Sequence, residues 1–404
     1  MEELMYYVWQ QRLFSTIVTL DNTPIEIIHP GLRNLDAGPD FFNAKVAIDG
    51  IVWAGNVEMH VKASDWFKHN HQKDRAYDNV VLHVVLEADA IVERGSGEPI
   101  RTVVMRIPPE VMKKYHELYC TQPFSFSAIR CATSIPQIPT VIITDWTNAL
   151  VVQRMLAKAK RVQDLTEGGG ESWQEAFYVM LCRSLGTGIN SDACERLARA
   201  LPYRFIQKHL DSPLQTKALI LGQAGLLTPD DTDMLREYEF LRAKFALTPL
   251  PPGVWKMAKL RPYAFPRHRL ECLATILLTH PNLFSEIREA DSLASLEKIL
   301  YLPQHLGKQT VHSIIINAVV PVLMAYGQWE ADNELCEKTL EMLESIPAES
   351  NRYMDYWIQA GLPIRNAFDS QALLHLYREY CEPHKCINCR LGCWIIKNRN
   401  TPST

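Results

Sequence analysis

Missing from this sequence is an apolar run of the ~20 residues that a membrane-spanning helix needs. The longest, Ser313 to Tyr326, carries Asn317 and Pro321. It therefore reads as a buried helix, interrupted or ended at the proline, and no membrane partner is expected. Missing too is the basic-then-apolar plan of a signal peptide. The N-terminus MEELMYYVWQQRLF begins with two glutamates after its methionine, which predicts a chain that stays in the cytoplasm. Neither sign of charge dominates, since 42 basic residues face 46 acidic ones for a net charge of −4. The chain as a whole cannot act as a cationic coat for nucleic acid, so phosphates would need a local basic surface. No P-loop, nucleophile elbow or HExxH pattern is present.

What is present is core material. With 47% apolar and 22% charged residues the chain is a folded protein, and 404 residues exceed what one core usually serves. Strand-like runs fill the first quarter: STIVTL, PIEIIHPG, NAKVAID, IVWAGNVEMHV, NVVLHVVLEA and TVVMRI. A short helix leads them, and Asp49-Gly50 marks a hairpin. Prolines between 123 and 139 predict a linker. Beyond it, apolar residues at three-and-four spacing predict a succession of helices. The expected fold is α+β: an α/β domain with a mixed central sheet over 1–122, a linker over 123–140, an all-helical domain over 141–380, and a cysteine-rich tail over 381–404.

Chemistry concentrates between Gly38 and Leu86. Alternation along IVWAGNVEMHV puts Glu58, His60 and Lys62 on one face and Val57, Met59 and Val61 on the other. A hairpin would bring Asp40, at the entrance of the preceding strand, to Glu58. Two carboxylates on rigid strands suit magnesium or manganese, and a nearby His60 or Lys62 could relay protons or meet charge. The loop that follows adds His69, His71, Asp74, Tyr77 and Asn79, with His83 in the next strand. By ligand type His69, His71 and Asp74 suit zinc or manganese. The bland reading makes each histidine a surface or core residue satisfied by hydrogen bonds.

Gly38-Pro39-Asp40 followed by Glu58-x-His60-x-Lys62 resembles the PD-(D/E)XK nuclease superfamily, which has a restriction-endonuclease-like fold. The resemblance implies that Asp40 and Glu58 are metal ligands. It departs at the family's lysine, where His60 stands and Lys62 comes two residues later. The longer stretch GPDFFNAKVAIDG through VEMHVKASDWFKHNHQKDRAYDNVVLHVV, with Arg261-Pro262, Phe265-Pro266, Arg269, Ile316-Asn317 and the terminal cysteines, is similar to a bacterial family catalogued as domain of unknown function 2851. That likeness implies a shared architecture and no activity.

Cys381, Cys386, Cys389 and Cys393 follow a predicted helix with the spacing C-x4-C-x2-C-x3-C. Such thiolates hold zinc or an iron–sulfur cluster, or stay as reduced, metal-free cysteines. Cys120, Cys131, Cys182, Cys194, Cys272 and Cys336 are scattered singly and read as core residues. Nucleic acid, as a partner, would meet Lys158, Arg161, Arg261 and Arg269, which otherwise read as solvated helix faces or loop locks. The sequence thus points to a metal-dependent nuclease or a degenerate relative of one. The alternatives are a non-catalytic protein- or nucleic-acid-binding protein, and a hydrolase built on His69, His71 and Asp74.

Overall fold

A computed structural model describes residues 1–20, 23, 25–119, 129–169 and 172–398. Helix α1 (Glu2–Gln10) precedes strands β1 (Thr16–Thr19), β2 (Ile25–His29), β3 (Leu32–Arg33), β4 (Phe41–Ile48) and β5 (Ile51–Lys62). Helix α2 (Asp65–Lys68), β6 (Val80–Glu87), β7 (Thr102–Arg106), α3 (Pro109–Tyr119) and α4 (Thr140–Gly169) follow. The strands make one mixed sheet in the order β1-β7-β6-β5-β4-β2, with β3 pairing β4 beside that path.

The β4–β5 hairpin turns on Asp49 and Gly50, both at positive φ (50° and 74°). Positive φ at both central residues is the turn geometry whose twist matches paired strands. The turn sets Ile48 opposite Ile51, and the register runs on to Phe41 opposite Val57. Asp40, just before Phe41, is thereby carried to Glu58. Between Phe41 and Ala44 the register shifts, with Asn43 at φ 56°, as a β-bulge requires.

β5 and β6 run parallel, Glu58 beside His83. Parallel neighbours need a crossover of a dozen or more residues, and residues 63–79 supply it. That crossover is anchored by Trp66, which is fully buried with Ala63, Tyr77, Val80, Val85, Val92 and Ile100. Over its second half, both faces of β5 are covered. Val57 and Met59 are buried on one side, Glu58 and His60 on the other.

The chain divides into two compact units. The first holds 1–146, 356–362 and 377–404, and the second holds 147–355 and 363–376. The segment set apart by sequence as a tail therefore belongs to the sheet-bearing unit. Of the expected linker, 123–128 lie outside the described residues, as does Cys120. The remainder is regular structure, a 3₁₀ helix over Ala132–Gln137 followed by α4.

The second unit is helical among its described residues. Its most apolar helix runs over Lys308–Glu330, long and apolar enough to cross a membrane by composition, and 72% of its apolar stretch is buried in the protein. Pro321 does not end it. A π-turn over Ile315–Val319 immediately precedes the proline, and its wider winding accommodates the missing N–H and the ring that would clash with the preceding turn.

Gly55 lets β6 approach β5: a Cβ there would stand 2.4 Å from Val81 Cγ1 and 2.7 Å from the Asn79 carbonyl oxygen. Gly55→Ala is expected to cost about 1–3 kcal/mol in chemical denaturation. Gly253→Ala, whose added methyl meets nothing within 4 Å, is expected to change stability by less than about 0.5 kcal/mol.

Candidate functional site

The crossover folds back over the middle of β5 and lays His69 and His71 against His60. His60 Nε2 lies 3.2 Å from His69 Nδ1, and the His60 and His71 rings stack with centroids 5.3 Å apart. Ligand nitrogens of all three lie within 4.8 Å of one another. Two nitrogens bound to one tetrahedral metal at 2.0–2.1 Å stand about 3.3 Å apart, and the three imidazoles are close enough together to be a group that could hold one. His60 is buried, His71 half-buried and His69 exposed, so the cluster opens to solvent on the His69 side.

Glu58 adjoins this group from two residues back on the same face. Its Oε1 is 3.2 Å from His71 Nε2 and 3.5 Å from His60 Nε2. The His71 Nε2 that meets this carboxylate is itself buried. Behind His60, His60 Nδ1 and His83 Nε2 share a hydrogen bond of 2.9 Å. With the proton on His60 Nδ1, that bond leaves the His60 Nε2 lone pair facing the cluster.

Asp40 holds Glu58 in place. The Asp40 backbone N–H donates to Glu58 Oε2 at 3.0 Å, and Met59 N–H donates to Asp40 Oδ2 at 2.9 Å. Arg33 pairs with the other oxygen, Oδ1, at 3.1 Å and lies over the Tyr6 ring at 3.7 Å. Both Asp40 oxygens are thus engaged by protein groups.

Burial governs the protonation of the site. It raises the pKa of Glu58 against the hydrogen bond from His71, with the nearby Asp40 charge adding to the rise, and it raises that of Asp40 against the hydrogen bond from Met59. Burial and the neighbouring imidazoles push His60 down to about 3. Burial likewise lowers His83 to about 4. Burial thus favours the neutral forms of Glu58, Asp40, His60 and His83.

A family model described as protein of unknown function, DUF2851, matches residues 2–305 and 301–352. The chain belongs to the DUF2851 family. No curated protein and no solved structure matches it.

Within this DUF2851 chain several expected site residues lie elsewhere. Lys62 continues the face of Glu58 and His60, yet it ends the strand in solvent and pairs with Glu87 at 3.0 Å; that pairing raises its pKa. Asp74 is exposed and caps a 3₁₀ turn by accepting the Ala76 N–H at 2.9 Å. Asn79 is exposed, and its carbonyl accepts the Asn56 N–H. Tyr77 does belong to the surround, stacked on His71 at 3.9 Å. In place of Asp74, His60 is the residue that the fold groups with His69 and His71. Alternation had placed His60 on the strand, but only the crossover shows that His69 and His71 reach it.

In the helical unit, Lys158 donates to Asn317 Oδ1 and Gln371 Oε1, both at 2.9 Å. Arg161 pairs with Glu195, which Arg183 and Arg199 also engage. These two cations serve internal networks. Arg261 is exposed. Arg269 is buried, with one contact of 3.5 Å to Thr310 Oγ1. Loop locking falls to Arg267, through the Leu226 carbonyl and Asp231. At the C-terminus the Cys393 thiol donates to the Ile387 carbonyl at 3.0 Å.

Glu58→Gln separates folding from metal affinity. A carboxyl whose folded pKa is raised contributes stability at low pH that is lost as pH rises through that pKa. An amide keeps an acceptor for the Asp40 N–H without that loss. Metal-free Glu58→Gln is therefore expected to melt at or above the wild-type temperature at neutral pH, while the rise in Tm on adding zinc or manganese shrinks. A metal-free Tm several degrees lower would show that the fold needs the carboxylate.

Proposed function

We propose that this chain is a metal-dependent hydrolase in which His60, His69 and His71 hold a divalent cation and Glu58 handles the proton of the attacking water. The observation that carries this reading is the convergence of three imidazole nitrogens within 4.8 Å, with Glu58 Oε1 at 3.2 and 3.5 Å from two of them. Glu58 adjoins His60 and His71 but stands outside the mutual group of three, which suits a proton-transferring group beside a three-ligand centre. An imidazole-rich set favours zinc or another transition ion over magnesium. A cation bound there would lower the pKa of a coordinated water toward neutrality.

The remaining residues prepare this arrangement. His83 fixes the His60 ring, Tyr77 and Trp66 wall His71, and Asp40 orients Glu58 through its backbone N–H. The exposed edge at His69 is where substrate would enter.

As substrate class we assign a phosphodiester of nucleic acid. Support comes from the positions of the acids: Asp40 at the entrance of β4 and Glu58 on the adjacent β5 keep the spacing that resembles the PD-(D/E)XK pattern. With His60 in place of the family lysine and Lys62 directed to Glu87, the imidazoles take over as the ligand set.

The test is cleavage of single- and double-stranded DNA and RNA, and of a chromogenic phosphodiester, by the full-length chain with zinc, manganese or magnesium added separately. Cleavage is expected with a transition ion, and Glu58→Gln and His71→Ala are each expected to lower the rate by about 100-fold or more. Metal uptake at the histidines without cleavage of any of these substrates would overturn the hydrolase reading and leave a binding protein.

A further inference from the structure

We propose that Cys131, Cys381, Cys386 and Cys389 form a four-thiolate site for an iron–sulfur cluster, with Cys393 outside the ligand set. This site is separate from the histidine centre and does not rest on the hydrolase reading.

Cys131 lies far from the other three in sequence and was indistinguishable there from a core cysteine. In the fold it immediately precedes the 3₁₀ helix Ala132–Gln137, and that stretch is tied to the C-terminal loop. Arg130, its neighbour, contacts His384 Nε2 through Nη2 at 3.3 Å and donates to the Leu118 carbonyl at 3.1 Å. The Ile387 N–H donates to the Tyr119 hydroxyl at 3.2 Å.

The four thiols lie within electrostatic range of one another. Cys131 feels the charges of Cys386 and Cys389; Cys381 feels those of Cys131, Cys386 and Cys389; and Cys386 feels that of Cys389. All six pairs are therefore in electrostatic reach. Cys393 is coupled to Cys386 and Cys389 and directs its thiol to the Ile387 carbonyl.

Local backbone geometry is fitted to this convergence. Cys381 closes a π-turn over Tyr377–Cys381, an irregularity that re-aims a side chain and recurs at functional sites. Cys386 opens a 3₁₀ turn, and Cys389 caps the helix Arg390–Lys397. A Cβ on Gly392 would stand 2.1 Å from the Cys386 carbonyl oxygen, so only glycine lets that helix pack so closely on the loop. All four cysteines are unpaired; Cys389 is buried and the others are half-buried.

Spacing selects the group. Sulfurs on one tetrahedral zinc, each ~2.3 Å from the metal, stand about 3.8 Å apart. Among the described residues, the cysteines form no group of three with ligand atoms within 4.8 Å of one another, as the histidines do. A polynuclear cluster binds its thiolates to different irons and separates them more widely, and an all-cysteine set is its usual ligation. The thiols bind as thiolates, releasing their protons, and the cluster would staple the Cys131 stretch to the C-terminal loop.

The experiment is anaerobic reconstitution of the full-length chain with ferrous iron and sulfide, followed by assay of iron, inorganic sulfide and zinc. The wild type is expected to hold iron and sulfide in equal amounts with visible charge-transfer absorption. Cys131→Ser and Cys381→Ser are expected to lose most of that iron, and Cys393→Ser to retain it. Full iron retention by Cys131→Ser, loss of iron by Cys393→Ser, or a wild type that takes up zinc and no iron would each overturn the proposal. Circular dichroism establishes whether the variants fold. Should Cys131→Ser not fold, iron-edge X-ray absorption on the wild type decides: all-sulfur coordination with iron–iron scattering supports the cluster, and its absence refutes it.

Discussion

The hydrogen bond from the Asp40 backbone N–H to Glu58 is the contact on which the rest of the site depends. It exists because a two-residue turn at Asp49-Gly50 fixes the register of β4 on β5, and a slip of one residue would send Glu58 and His60 to the other face of the sheet. The same register buries a carboxylate on a central strand, where an unpaired charge is costly. Burial favours the neutral forms of His60 and His83 beside it, and His71 Nε2 stands 3.2 Å from its Oε1.

Parallel pairing of β5 with β6 supplies the second constraint. An antiparallel neighbour could have followed after a tight turn. A parallel one forces the chain to travel back along the sheet, and residues 63–79 do so while carrying His69 and His71. The two imidazoles reach His60 because that connection has to cross β5 in any case. Trp66, buried beneath it, contacts both His71 and His83 edge-on or tilted, so packing of the crossover and aiming of the imidazoles are one and the same arrangement.

Much of this was legible in the sequence. The strands, the hairpin turn and the facing of Glu58 with His60 followed from alternation and from Asp-Gly. Alternation reports a face and not its depth, so it could not distinguish buried His60 from solvated Lys62 two residues on. The grouping of His60 with His69 and His71 was hidden because it depends on where a connection returns, which periodicity does not encode. Helix α3 escaped notice because its buried residues are few, Val111 and Leu118. Pro321 misled because a proline reads as a stop, whereas the π-turn before it lets the helix continue.

Helix α1 connects the two candidate centres. Successive residues on a helix point about 100° apart, and Tyr6 and Tyr7 use that divergence. The Tyr6 hydroxyl is hydrogen-bonded to Asp40, and its ring lies under Arg33. The Tyr7 hydroxyl donates to the Cys393 carbonyl at 3.1 Å, four residues beyond Cys389. One short helix thus braces the residue that orients Glu58 and the segment that carries three of the four thiols. A shift of the C-terminal segment would be passed through Tyr7 to α1 and through Tyr6 to Asp40. The sheet-bearing unit needs its distant C-terminal segment for that reason: without it, the helix that supports Asp40 would lose one of the contacts fixing its position.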